Sequence, residues 1–228
     1  MSRSGLLFPG IFASFALSLG ATVLLPFSQL GGLSPDFKSE DGLVSEIYPI
    51  PVQGLPQIGK QVYVAQGCQA CHTQFIRGVE ASDIERGWGE RRTVARDYVS
   101  EKGSPLGSLR IGPDLSNVGS VKWRNEPLGD PSAPAKRDAS WHLRHLYNPK
   151  ERLQDSNMPS YRHLFETRKQ VGAPSSDALS LSGEAAPEPG YEVVPTASAK
   201  ALVAYLGSLD RSHPLKEAGA GSVASQKK

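Results

Sequence analysis

The longest apolar run in the chain lies at its start. GLLFPGIFASFALSLGATVLLPF, residues 5–27, contains no charged side chain. That length reaches the ~20 residues needed to cross a hydrocarbon layer, so it predicts a transmembrane anchor. The competing reading is a cleaved leader. Its apolar region would span only about 7–15 residues before a small-residue cleavage site, and PFSQLGG is a poor one. Pro9 falls near the start of the run, where a missing N–H costs little, and Pro26 is expected to end it. Gly10, Ala13, Ala16 and Gly20 recur at helical spacing, which permits close packing on other membrane helices. Arg3 precedes the run, while Asp36, Lys38, Glu40 and Asp41 follow it. The excess of positive charge on the first side predicts a cytoplasmic N-terminus and an exported body.

Beyond the anchor the pattern changes. Residues 31–55 are polar and carry Gly and Pro, which reads as a linker. A helix is predicted over 56–66, with Ile58, Val62 and Val64 apolar and a stop at Gly67. The stretch GVEASDIERGWGERRTVARDYV is charged and shows no period. RIGPDLSNVGS reads as a loop with a Gly-Pro turn. SWHLRHLYNPK reads as a helix capped by Ser140 and ended by Asn148-Pro149. Residues 168–195 are rich in Ala, Ser, Gly, Pro and Glu and predict a surface excursion without a core face. TASAKALVAYLGSLD predicts an amphipathic helix capped by Thr196, with Leu202, Val203, Tyr205, Leu206 and Leu209 on one stripe. Residues 213–228 read as a disordered tail. No alternation is long enough to build a sheet. The expected fold class is therefore all-α: an anchor over 1–30, a linker over 31–55, and a helical domain with long loops over 56–212.

Composition narrows the chemistry. The formal charge of the 228 residues is +2, so nothing argues for a nucleic-acid partner. The chain has two cysteines, both in GCQACHTQFIR, residues 67–77. Three uses compete for Cys68, Cys71 and the adjoining His72. A zinc site needs four ligands, and these residues supply at most three. A redox thiol pair expects a βαβ setting, which is absent. The third use is covalent haem c, in which both thiols add to vinyl groups and the histidine reaches the iron. The two-residue spacer suits two vinyls on one porphyrin edge, so haem c is the expected cofactor. The opposite axial ligand must be Met or His. Met1 precedes the anchor, which leaves Met158 as the methionine candidate beside His142, His145, His163 and His213. Met158 is favoured by its loop position before Pro159, and thioether ligation suits a high-potential relay. A six-coordinate iron leaves no substrate position, so the expected role is electron carriage, not catalysis.

The order CxxCH, GPDL, a distal Met-Pro and a terminal ALVAYL helix resembles class I cytochrome c. The resemblance implies that the Pro113 carbonyl orients the His72 imidazole. It also implies that a helix around Gly59 and Tyr63 packs on one around Leu202 and Tyr205. With the anchor, GCQACHTQFIR, RIGPDLSNVG, WHLRHLYNP and MPSY, the chain is more closely similar to the monohaem subunit II of cbb-type haem–copper cytochrome c oxidases. That family implies a periplasmic haem domain on a single-pass inner-membrane anchor. It implies two partners, a dihaem cytochrome subunit that donates electrons and a haem–copper catalytic subunit that receives them. Arg77 and Arg110 are then candidates to neutralise haem propionates, and Trp141 and Tyr147 flank a helix that covers the haem. Residues 168–195 and the charged stretch 88–98 depart from the family pattern. Two other roles compete: the small cytochrome subunit of a nitric oxide reductase, and a free membrane-tethered shuttle.

Overall fold

The computed structural model describes residues 3–40, 43–78, 82–125, 137–151 and 153–219. It is mostly helical, with two small two-stranded sheets among the described residues. The chain divides into two compact units: Met1–Ile50 with Ala95–Ser100, and Pro51–Val94 with Glu101–Lys228.

The first unit opens with one long apolar helix. α1 (Arg3–Leu19) passes through a π-helical turn (Gly20–Leu24) into α2 (Leu25–Leu30). Its 26 residues Gly5–Leu30 are long and apolar enough to cross a membrane. Hydroxyls within the span bond to their own helix, Ser14 Oγ donating to Gly10 O at 2.9 Å and Thr22 Oγ1 to Ser18 O at 2.7 Å. Pro26 does not end the span. It sits in the first turn of α2, where a missing N–H is tolerated, and the helix continues to Leu30. The stretch read as a linker contains a hairpin, in which β1 (Asp36–Glu40) pairs antiparallel with β2 (Leu43–Tyr48). Tyr48 Oη donates to Asp97 Oδ1 at 2.5 Å, and both residues are buried. Asp41, read as part of the flank after the span, lies outside the described residues.

The second unit contains α3 (Leu55–Ala65), α4 (Val121–Asn125), α5 (Ala139–Tyr147) and α6 (Ala197–Ser208). Of the aliphatic residues read on α3, only Val62 packs against the core, and it is half-buried. Ile58 and Val64 are exposed, whereas Gly59 and Tyr63, one turn apart, are buried. Backbone approach explains this: a Cβ on Gly59 would stand 1.8 Å from Ala201 O in α6. Tyr63 then meets Tyr205 edge-on, with ring centroids 5.5 Å apart. Leu202, Leu206, Leu209, Val118, Leu146 and Phe165 complete the core around the crossing. Glu101 fastens the unit further, taking Lys60 Nζ at 2.9 Å and Arg211 Nη2 at 2.7 Å.

Local chemistry fixes the helix ends. Thr196 Oγ1 caps α6 by accepting from Ala199 N at 3.3 Å, and donates to Leu164 O at 2.8 Å. The cap of α5 is Asp138 and not Ser140, its Oδ1 accepting from Trp141 N at 2.8 Å. Residues 168–195 do have a core face. β3 (Phe165–Lys169) pairs antiparallel with β4 (Tyr191–Pro195), and Ala185, Val193 and Val194 are buried. The Glu192 carboxylate gathers the intervening loop, accepting from Arg168 Nε and Ser175 N, each at 2.8 Å. Part of the expected tail is packed as well. Leu215 and Ala218 are buried, and Arg91 Nε donates to His213 O at 2.8 Å. Residues 220–228 lie outside the described residues.

Candidate functional site

Cys68, Cys71 and His72 follow α3 directly. Gly67, with φ of +70°, turns the chain out of the helix, a conformation that glycine adopts without strain. A 3-10 turn (Cys68–Ala70) then sets the two cysteines, which are free thiols. Burial pushes the Cys68 thiol up to about 11, opposed by a hydrogen bond to Tyr161.

After His72 the chain is clasped by the loop that precedes and includes GPDL. Gln74 N donates to Leu106 O at 2.9 Å, Gly112 N to Cys71 O at 2.9 Å, and Leu115 N to Thr73 O at 2.8 Å. The Asp114 carboxylate adds three bonds, from Thr73 Oγ1 at 2.6 Å and from Phe75 N and Ser116 N at 2.8 Å each. This clasp brings Pro113 O to 2.8 Å from His72 Nδ1. A carbonyl can only accept, so Nδ1 carries the proton and Nε2 keeps its lone pair. Gly112 lies against the same ring, where a Cβ would stand 2.3 Å from His72 Cε1. Burial lowers the pKa of His72 and so favours this neutral form.

Met158 is partly buried against the cluster that includes Cys68, with its N–H donating to Ser156 Oγ at 3.2 Å. Tyr161 ties this loop down twice. Its N–H donates to Leu146 O at 2.8 Å, and its hydroxyl is hydrogen-bonded to Cys68. The other histidines have different settings. His163 Nε2 lies 2.7 Å from Gln66 Oε1, and the carbonyl of His213 is engaged by Arg91. His142 and His145 belong to an aromatic box. Trp141 stacks on His145 at 4.8 Å, Trp123 stacks on His142 at 5.4 Å, and the two indoles meet edge-on at 5.5 Å. Burial first, then neighbouring charge, holds both imidazoles down to about 4, so both are neutral at pH 7. After burial, the largest influence on His145 is the charge of His72.

Arg77 and Arg110 converge on one carboxylate. Arg77 Nη2 lies 2.9 Å from Asp83 Oδ1, and Arg110 Nη1 lies 2.5 Å from Asp83 Oδ2. Burial alone would raise the pKa of Asp83, but hydrogen bonds from Arg77 and Arg110 overcome it and hold the carboxyl at about 2. Sequence reasoning missed both Asp83 and Asp114. Asp114 did leave a signal, an Asp two residues before a loop N–H that its side chain can accept from. Asp83 left none, since its partners depend on the fold.

Residues 13–185 match the family described as cytochrome c oxidase, mono-heme subunit/FixO. The chain belongs to this FixO family. The match spans CxxCH, GPDL, α5 and MPSY, and it bears out the resemblance to the monohaem subunit of a cbb-type oxidase. No curated protein matches the sequence. A mono-haem family implies one haem, and the residues suit one. His72 offers a neutral imidazole with a free lone pair beside two unpaired thiols. On α5, buried Trp141 Nε1, His142 Nε2, Arg144 Nε and His145 Nδ1 have no hydrogen-bond partner. Among the described residues, no three His, Cys, Asp or Glu side chains are grouped to hold a bare metal ion, so the zinc reading gains no support.

Proposed function

We propose that this FixO chain is a membrane-anchored cytochrome that relays single electrons to the haem–copper subunit of a cbb-type oxidase and does not itself reduce oxygen. Family membership supports the oxidase setting. The observation that carries the site is the 2.8 Å contact between His72 Nδ1 and Pro113 O. In this reading Cys68 and Cys71 would hold haem c through thioether bonds, and His72 and Met158 would ligate its iron. When bound, the haem supplies a one-electron iron couple whose potential thioether ligation raises.

The remaining roles belong to the chain. The Pro113 carbonyl fixes the tautomer of His72 and enriches its ring. Asp114 holds the loop that presents that carbonyl. Tyr161 holds the Met158 loop against the Cys68 turn. Arg77 and Arg110 bring two positive charges to the single negative charge of Asp83, leaving a net positive rim that favours haem carboxylates. The close crossing of α3 and α6 at Gly59 supports a class I cytochrome c fold for the second unit. Arg3 ahead of the span supports a cytoplasmic N-terminus and an exported haem domain. A dihaem cytochrome subunit is the proposed electron donor.

Purification from native membranes in mild detergent tests this reading. The expected outcome is a chain heavier by one covalent haem, co-purifying with a haem–copper subunit in a complex that consumes oxygen. A solitary cytochrome would assign a tethered shuttle instead. A partner that reduces nitric oxide but not oxygen would assign the reductase role.

A further inference from the structure

The loop that carries Met158 is fastened by the four residues that end it. Among the described residues, the backbone of 157–160 makes no backbone hydrogen bond to another element, and Pro159 has no N–H to give. Met158 is held only locally by its own N–H, which donates to Ser156 Oγ two residues back. The next four residues reach the three longer helices of the second unit. Tyr161 N donates to Leu146 O of α5 at 2.8 Å. The Arg162 guanidinium lies 5.1 Å over the ring of Tyr147, also on α5. His163 Nε2 lies 2.7 Å from Gln66 Oε1 at the end of α3. Leu164 O accepts from Thr196 N at 3.0 Å and from Thr196 Oγ1 at 2.8 Å, at the start of α6.

The contact of His163 with Gln66 differs from the others in where it lands. Gln66 is the C-cap residue of α3, one residue before Gly67 turns the chain and two before Cys68. His163 lies five residues after Met158. The pair thus joins the cysteine turn to the methionine loop, across 97 positions of sequence, through side chains alone. An amide oxygen can only accept, so Nε2 of His163 carries a proton and has no lone pair left to offer a metal. This assigns His163 a role other than ligation. Both side chains can be altered without opening the core, since His163 is exposed and Gln66 half-buried.

We propose that His163 is a positioning residue, which through Gln66 holds the Met158 loop closed against the cysteine turn; the proposal rests on the ligand reading above. The bond exists while the loop is closed and is lost when the loop swings away. Its net worth therefore favours the closed form alone. For an ordinary hydrogen bond that is about 2–10-fold in the equilibrium between closed and open loops.

The test uses the full chain purified with its haem, and added imidazole as the probe. Imidazole reaches ferric iron only where Met158 has left it, so its apparent affinity reports the open fraction. His163→Ala and Gln66→Ala should each raise that affinity by about 2–10-fold. The double variant should raise it no further than either single one, because both remove the same bond. A contact that merely stabilised the fold would lower the melting temperature and leave imidazole affinity unchanged. That result, or single effects that multiply in the double variant, overturns the role of His163. Before imidazole is added, the wild-type chain should carry the mass of one haem and show the weak red absorption band of ferric haem bound by a thioether. Absence of either overturns the ligand reading itself, and this proposal with it.

Discussion

The imidazole of His72 rests against Gly112 with no room for a methyl group: a Cβ at position 112 would stand 2.3 Å from Cε1 and 2.7 Å from Nδ1. The next residue supplies the carbonyl that accepts from Nδ1. One loop therefore sets both the position and the tautomer of the ring. Gly112→Ala must displace the ring or the loop, at a cost of about 1–3 kcal/mol by analogy with overpacked cores. On the proposed attachment, the expected variant still carries covalent haem, because both thiols remain. Its melting temperature and its haem potential should both fall. Wild-type values for both would mean that the contact is slack in solution.

Met158→Ala separates attachment from ligation. On the proposed attachment through Cys68 and Cys71, the haem should remain on the chain by mass. The potential should fall by on the order of 0.1 V, a modest part of the ~0.8 V range that axial ligands command. The opened position should bind carbon monoxide, visible as a change in the reduced spectrum. An unaltered potential would remove Met158 as a ligand and return His163, His142 and His145 to consideration.

Asp83 gives the second unit a pH dependence whose sign is fixed. Its carboxyl titrates at about 2 in the folded chain, against an ordinary value of 3.8. A depressed folded value stabilises the fold above the unfolded pKa, and this contribution is lost as pH falls from about 4 to about 2. Asp83→Asn leaves Arg77 and Arg110 without their shared counter-ion and should cost about 2–3 kcal/mol at neutral pH. Urea unfolding followed by circular dichroism at pH 7, 4 and 2.5 checks it. The wild-type curve should approach that of the variant as pH drops. Curves that stay equally far apart at every pH would show that the ionised carboxylate is not the stabilising form.

What the sequence made legible divides by distance along the chain. α6 could be read because its cap, Thr196, and its buried stripe are both local and follow the helical period. The CxxCH motif is equally local and stands out in the sequence. The cap of α5 was misread because Asp138 and Ser140 are both good cap residues, and only the backbone chooses between them. β3 and β4 escaped notice because each has five residues and the pairing joins distant segments. β4 also buries four consecutive residues, Glu192 to Pro195, and so lacks the alternation that marks a strand. The clasp on His72 was legible only through the GPDL resemblance. Its anchor, Asp114, reaches back 41 positions to Thr73, a separation that no local pattern encodes.

Gly59, like the clasp, was legible only through the resemblance, which packs it and Tyr63 on α6 as the structure does. Read by apolar periodicity, the face of α3 at Ile58 and Val64 looked important, yet both residues are exposed. The buried contact is made by the residue with no side chain. A Cβ at 59 would stand 1.8 Å from Ala201 O and 2.5 Å from Ala201 C, both backbone atoms that cannot rotate away. Gly59→Ala must therefore part α3 from α6 and loosen Tyr63 on Tyr205. A cost of about 3 kcal/mol lies at the upper end of ordinary overpacking. At 2–4 °C per kcal/mol for a domain of this size, melting should drop by about 6–12 °C. Gly207→Ala in α6 is the matched control, because nothing lies within 4 Å of a Cβ there. Alanine at 207 should gain up to about 1 kcal/mol from helix propensity alone. The two substitutions are chemically identical and lie on the two packed helices, so opposite shifts in melting would isolate the helix crossing as the cause. Equal shifts would mean that backbone propensity, and not the contact with Ala201, governs position 59.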